Sequence, residues 1–303
     1  MIIGRFYWYR FAQWARPLWL AWLLLIAVSV LTTYQHHFID IPTGVLVGCL
    51  VLWLLPWQGN QAASFAVFRF PSNPVLSLPK PKRSPAHLRW LWLYASGAVV
   101  LSLLAFGLQA AWYGLFWPAL ALLWLAAVYG HADAAAWQEQ VSGKHTLAVS
   151  LFALPLRLMY RANMVYWLRG KALSAQVTKR IHVGSILAAP DFHAVVDVCA
   201  EYPMAHMPSY YATIPMLDMV PADAAALRAA ADALHQMLQQ QNQPVLVCCA
   251  LGYSRSVAVV LVYLLRQGHA HDLQAALKLL QTARPVMVVS PANQLQILKA
   301  AHE

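Results

Sequence analysis

An apolar run that breaks at a short turn and resumes as a second apolar run limits the fold of this chain more than any other feature. Pro244 to Cys248 reads as an apolar β-type run, and Ser256 to Leu265 reads as a helix. Between them lie Cys249, then Ala250, Leu251, Gly252, Tyr253 and Ser254, and then Arg255. A strand feeding a helix through so short a turn aims the turn's N–H groups and the helix N-terminus at one point, where an anion is favoured. Cys249 stands at that point, in surroundings that favour a thiolate. Arg255 adds a planar fork that can grip two phosphoryl oxygens. Gly252 lets the backbone curl close to such a group, and Ser256 brings a hydroxyl to the sulfur.

The first half of the chain has a different character. The 303 residues are 60% hydrophobic and only 11% charged, with 13 tryptophans, against about 25% charged in a soluble domain. Of the acidic residues only Asp40 precedes Asp133. Four stretches, 17–34, 43–57, 90–108 and 110–130, read as membrane spans, the second being short. The net charge of +10 does not imply nucleic acid, because the basic residues flank apolar spans and no recognition motif accompanies them. Arg5, Arg10 and Arg16 precede the first span. The Pro-rich 58–89 loop, read as an extended linker, carries Arg69, Lys80, Lys82, Arg83 and Arg89. The 34–42 loop has no Lys or Arg. Four spans with both termini cytoplasmic satisfy this pattern, and a working thiolate also favours the reducing cytosol. Residues 146–168 mix apolar and aromatic side chains with Arg157 and Arg161 and read as an interfacial amphipathic helix.

From Lys171 onward short strands alternate with helices. Strands are expected at Ile181 to Val183, Ala194 to Cys199, Tyr211 to Ile214 and Val245 to Cys248, and helices over 222–241, 255–267, 271–282 and 291–301. About 130 residues suffice for one α/β domain. The predicted architecture is therefore a multi-pass α-helical membrane domain (1–130), an interfacial segment (131–170) and an α/β domain (171–303). Neighbouring strand residues point to opposite faces, so Cys248 reads as a core residue and not as the disulfide partner of Cys249. Cys49 and Cys199 read as small buried hydrophobes, and the four cysteines lack the spacing of a zinc site.

With these motifs in hand, residues 178–301 resemble the dual-specificity branch of the cysteine phosphatases. Ile181 to Leu187 looks like that family's opening strand and turn, and Val195 to Glu201 like its second strand. Tyr211 to Asp218 is similar to the segment carrying its general acid. Arg284-Pro285 and Ser290 to Leu295 resemble its closing helix. The resemblance implies the family's fold, a mixed central sheet flanked by helices, and a metal-independent reaction without cofactor. In it Cys249 attacks phosphorus and forms a cysteinyl-phosphate. Asp218 protonates the leaving oxygen and later activates water, with Asp223 as the fallback. Arg255 and the N–H groups from Ala250 to Arg255 hold the equatorial oxygens, and Ser256 assists departure of the thiolate. Asp232 reads as solvated and Asp197 as structural. One departure is Cys248, where the family has His before its nucleophile. The loop interior has no lysine or second arginine, which disfavours highly charged inositol head groups.

Residues 29–44 resemble the third motif of the type 2 phosphatidic acid phosphatases. Ser29, His36 and Asp40 match it, and Val30 stands where that family has arginine. His36 would there be the nucleophile and Asp40 its orienting carboxylate. Upstream motifs of that family do not occur, so residues 1–130 read as a truncated remnant serving mainly as an anchor. The predicted function is a membrane-anchored phosphatase acting on phosphotyrosine, phosphoserine or phosphothreonine of proteins. The alternatives are a lipid head-group phosphatase at the inner membrane surface and a phosphate-binding pseudophosphatase scaffold.

Overall fold

The computed structural model describes residues 83–302, apart from 109 and 138–142, together with isolated positions before residue 50. His36, Asp40, Cys49, most of the predicted spans 17–34 and 43–57, and the linker up to residue 82 lie outside the described residues. The chain divides into two compact units: Met1–Arg69 with Thr146–Phe152, and Phe70–His145 with Ala153–Glu303.

In the second unit, α1 (Pro85–Leu108) and α2 (Phe116–His131) form an antiparallel pair, joined through a 3-10 turn at Ala110–Leu115. Both are long and apolar enough to cross a membrane, the second counted from Trp112. Small residues set their approach. A Cβ at Gly130 would lie 2.5 Å from Leu91, and one at Gly97 would lie 3.3 Å from Leu122. Trp92, Leu93, Val99, Leu103 and Phe106 face outward. The helix α1 begins before the predicted span, inside the segment read as linker, and the reason is local. Pro85 fits the first helical position, where its missing N–H costs nothing. Ser84 donates its N–H to His87 Nδ1 (3.1 Å), and the His87 N–H returns to the Ser84 carbonyl (3.0 Å). At the far end of α2, Ala132 takes φ +51° and bonds back to Tyr129, closing the helix in a left-handed turn.

The stretch 146–168 is not one helix. It comprises α3 (Leu147–Phe152), in the first unit, and α4 (Leu154–Leu168), in the second. Pro155, near the start of α4, has no N–H to continue a preceding helix. Helix α4 also packs on the α/β domain. Met164 and Leu168 are buried in the core of the α/β domain, whereas Leu158, Val165, Tyr166 and Trp167 face out.

The α/β domain is built on a five-stranded mixed sheet of order β1-β2-β5-β3-β4. The strands are β1 (Ser174–Gln176), β2 (Ile181–Ser185), β3 (Ala194–Cys199), β4 (Tyr210–Met216) and β5 (Val245–Cys249). Only β1 runs antiparallel to its neighbour. The period-2 alternation of β5 serves two cores. Val245, Val247 and Cys249 pack with α5 (Ala224–Gln240), α6 (Arg255–Arg266), α7 (Leu273–Ala283) and α8 (Pro291–His302). Leu246 and Cys248 face the other side, with Met164 and Leu168 of α4 and Ile186. Helix α6 is buried from Arg255 to Leu264, which is why its sequence is apolar all round. In the parallel part of the sheet, loops at the strand C-terminal ends lie on one edge, where such folds bind ligands.

Candidate active site

Five segments meet at that edge: the ends of β2, β3, β4 and β5, and the N-terminus of α6. Cys249 ends β5 and is buried. Its Sγ lies 3.4 Å from Ser256 Oγ and accepts the Gly252 N–H at 3.3 Å.

The loop that follows has its carbonyls tied outward. Ser185 Oγ donates to the Ala250 carbonyl (2.5 Å), and Arg284 donates through Nη2 to Leu251 (3.0 Å) and through Nε to Gly252 (2.8 Å). The Val288 N–H donates to the Tyr253 carbonyl (2.8 Å). Each carbonyl opposes the N–H of the next residue across a planar peptide. The N–H groups of Leu251, Gly252, Tyr253 and Ser254 are thereby turned away from these outer partners, and that of Gly252 meets the sulfur. Gly252 holds φ +73°, and a Cβ there would lie 2.2 Å from the Gly184 backbone. No other residue fits.

Arg255 is buried and gripped end-on by Glu201. Its Nη1 donates to Oε2 (2.8 Å) and to the Met216 carbonyl (2.8 Å), and its Nη2 donates to Oε1 (2.5 Å). The side edge of the guanidinium, formed by Nε and the second Nη2 hydrogen, is left for another acceptor. Asp218 Oδ1 touches it at Nη2 (3.2 Å), while Nε has no hydrogen-bond partner among the described residues. Burial works against the charge, but Asp218 and Glu201 more than offset it and hold Arg255 well above its ordinary pKa. The side chain of Asp218 is 30% exposed, against 4% for Arg255. The carboxylate therefore stands at the mouth and the guanidinium at the wall.

The other acids are committed elsewhere. Asp223 caps α5 by accepting the Ala225 N–H (3.0 Å), and Asp232 pairs with Arg266 (2.6 Å). Asp197 is wholly buried and accepts the Cys199 N–H (2.9 Å) and the Tyr211 hydroxyl (3.0 Å). Burial pushes its carboxyl up to about 7. Cys248 points to the sheet face opposite Cys249, and its thiol faces Asp197 Oδ1 at 3.8 Å. The loop interior is neutral, as its sequence requires.

The roles of three contributors are not recognisable in the sequence. Glu201 is a lone acid after an apolar strand, and its spacing gives no sign that β3 lies beside β5. Arg284 carries no signal beyond its place next to Pro285. The third is the pair Trp90 and Tyr129, which reach the segment after Asp218 from α1 and α2: Trp90 Nε1 donates to the Met219 carbonyl (3.1 Å), and Tyr129 Oη donates to the Asp218 carbonyl (2.9 Å).

A buried cysteine that accepts a loop N–H and faces a serine hydroxyl, with an arginine fork in the same strand–loop–helix segment, defines a cysteine-dependent phosphatase. Residues 176–303 match the family model described as dual specificity phosphatase, catalytic domain. The C-terminal part of the chain is such a domain, and the chain is a phosphoric monoester hydrolase. Among solved structures it is similar to human DUSP28, at 24% identity over 43% of this chain and 93% of that one, with a TM-score of 0.39. A mouse putative dual specificity phosphatase complexed with zinc tungstate is 25% identical over 44% of this chain and 89% of that one, again with a TM-score of 0.39. A comparison with curated proteins found no match.

Proposed function

We propose that the chain is a membrane-anchored phosphatase whose cytosolic domain hydrolyses phosphotyrosine, phosphoserine or phosphothreonine of proteins through a cysteinyl-phosphate on Cys249. The observation that carries this reading is the arrangement at Arg255. Glu201 fixes one edge of the guanidinium, and the free edge lies beside Asp218. Two phosphate oxygens take that edge in parallel and displace the Asp218 carboxyl toward the leaving oxygen. Cys249 Sγ then attacks phosphorus, the P–O bond to the leaving group breaks, and Asp218 donates its proton to that oxygen. In the second step Asp218 takes a proton from water, whose oxygen attacks phosphorus. The S–P bond breaks, and the departing thiolate receives hydrogen bonds from Ser256 Oγ and the Gly252 N–H. The N–H groups of Leu251 to Ser254 hold the equatorial oxygens throughout.

Residues 1–130 are the anchor in this account. The two apolar helices α1 and α2 support it, as does the likeness of Ser29, His36 and Asp40 to a lipid-phosphatase motif. Exposed Met219, next to Asp218, and the outward Val165, Tyr166 and Trp167 of α4 favour a second reading, in which the substrate is the head-group phosphate of a lipid.

The variant Asp218→Ala of the full chain tests both. Turnover of an alkyl phosphate, whose leaving group needs a proton, is expected to fall by about 10² to 10⁴. The variant is also expected to retain bound phosphoprotein. Unchanged turnover would remove Asp218 from the mechanism, and retention of lipid phosphate alone would assign the second reading.

A further inference from the structure

The segment carrying Asp218 is not held by the α/β domain alone. Met219 adopts φ +59°, a left-handed conformation that a non-glycine residue 60% exposed has no intrinsic reason to keep. The two carbonyls on either side of its Cα are both bound by side chains of the helix pair. Tyr129 Oη holds that of Asp218 at 2.9 Å, and Trp90 Nε1 holds that of Met219 at 3.1 Å. The first of these bonds fixes the peptide plane that leaves the Asp218 Cα and the second fixes the next plane, so together they set the course of the chain away from Asp218, whose carboxyl reaches Arg255 at 3.2 Å.

The donors are themselves braced. Trp90, Tyr94 and Tyr129 form an aromatic cluster, with ring centroids 5.6, 6.5 and 5.3 Å apart in the three pairings.

We infer that Tyr129 and Trp90 are positioning residues for the general acid, so that the apolar helix pair completes the active site besides anchoring it. The inference rests on Asp218 acting as the acid in the proposed reaction. Losing the Tyr129 hydroxyl frees the peptide after Asp218 and lets the carboxyl leave the line of the leaving oxygen. Cys249, the loop and Arg255 lie on other elements and keep their geometry.

The experiment compares Tyr129→Phe, Trp90→Phe and Asp218→Ala with wild type, all as full-length chains in the same detergent. Two substrates are used: an alkyl phosphate, and an aryl phosphate whose leaving group departs without a proton. Tyr129→Phe is expected to lower kcat for the alkyl phosphate about tenfold, in line with one lost hydrogen bond. Its kcat for the activated aryl phosphate and both KM values should stay within about twofold of wild type. Trp90→Phe should behave in the same way. General unfolding or a loosened core would lower both substrates together, and that result would overturn the inference. A selective loss in Asp218→Ala with none in Tyr129→Phe or Trp90→Phe would also overturn it, leaving the acid assignment intact. No selectivity in Asp218→Ala would instead strike the reading on which the inference rests.

Discussion

Asp197 shows how a single carboxyl ties the stability of the site to pH. It lies wholly buried in β3 and accepts from the Cys199 N–H and the Tyr211 hydroxyl. Burial raises its pKa from 3.8 to about 7, against the partial relief of those two bonds. Between these values the folded protein keeps a proton that the unfolded chain has lost. Stability must therefore fall as pH rises through that window and level off above it. Asp197→Asn keeps the shape and removes the titration. Unfolding curves for the two proteins between about pH 4.5 and 7.5 should diverge, with the variant gaining relative stability as pH rises; parallel curves would contradict the assignment. The residue scale also separates what could be read in the sequence from what could not. Cys249, Arg255 and Ser256 are legible because one short segment carries all three. Asp218 required the family resemblance, because only a loop 31 residues upstream brings it near. Glu201 was not legible, because its partner is decided by strand order, which spacing does not encode.

Among elements, the loop from Ala250 to Ser254 depends on what lies outside it. Its N–H groups are oriented because four carbonyls are held by Ser185, Arg284 and Val288. Arg284 supplies two of these bonds and also stacks on Tyr253, with its guanidinium carbon 5.1 Å from the ring centre. The variant Arg284→Met keeps much of the apolar stem and removes the donors. It is expected to weaken inhibition by inorganic phosphate about tenfold, as two carbonyls lose their partners. An unchanged inhibition constant would mean that the loop holds its shape unaided. The helices and strands themselves were well marked in the sequence. Strand β3 spans Ala194–Cys199 as its apolar run indicated, and the four helices after residue 220 follow their periodicity. The three-residue β1 has no sequence signature, being too short to show an alternation. The early start of α1 was hidden by Pro85, which reads equally as linker or as a helix's first residue. The docking of α1 and α2 on the acid segment had no local signature, because Trp90 and Tyr129 look like ordinary interfacial aromatics.

On the scale of the whole molecule, an apolar, acid-poor first half is joined to an α/β domain of ordinary composition. Trp90 and Tyr129, near the ends of α1 and α2, bond across that junction to the carbonyls of Met219 and Asp218. In this account anchor and enzyme form a single working structure, with chemistry centred on one sulfur. Capture of the covalent intermediate tests that claim most directly. The full-length protein in detergent is mixed with an aryl phosphate, quenched in denaturant within milliseconds, digested and analysed by mass spectrometry. One phosphoryl group is expected on Cys249, more of it in Ser256→Ala, where thiolate departure is slowed, and none in an inactive Cys249→Ser. Turnover by Cys249→Ser, or a phosphoryl group carried on another residue such as His36, would contradict the account.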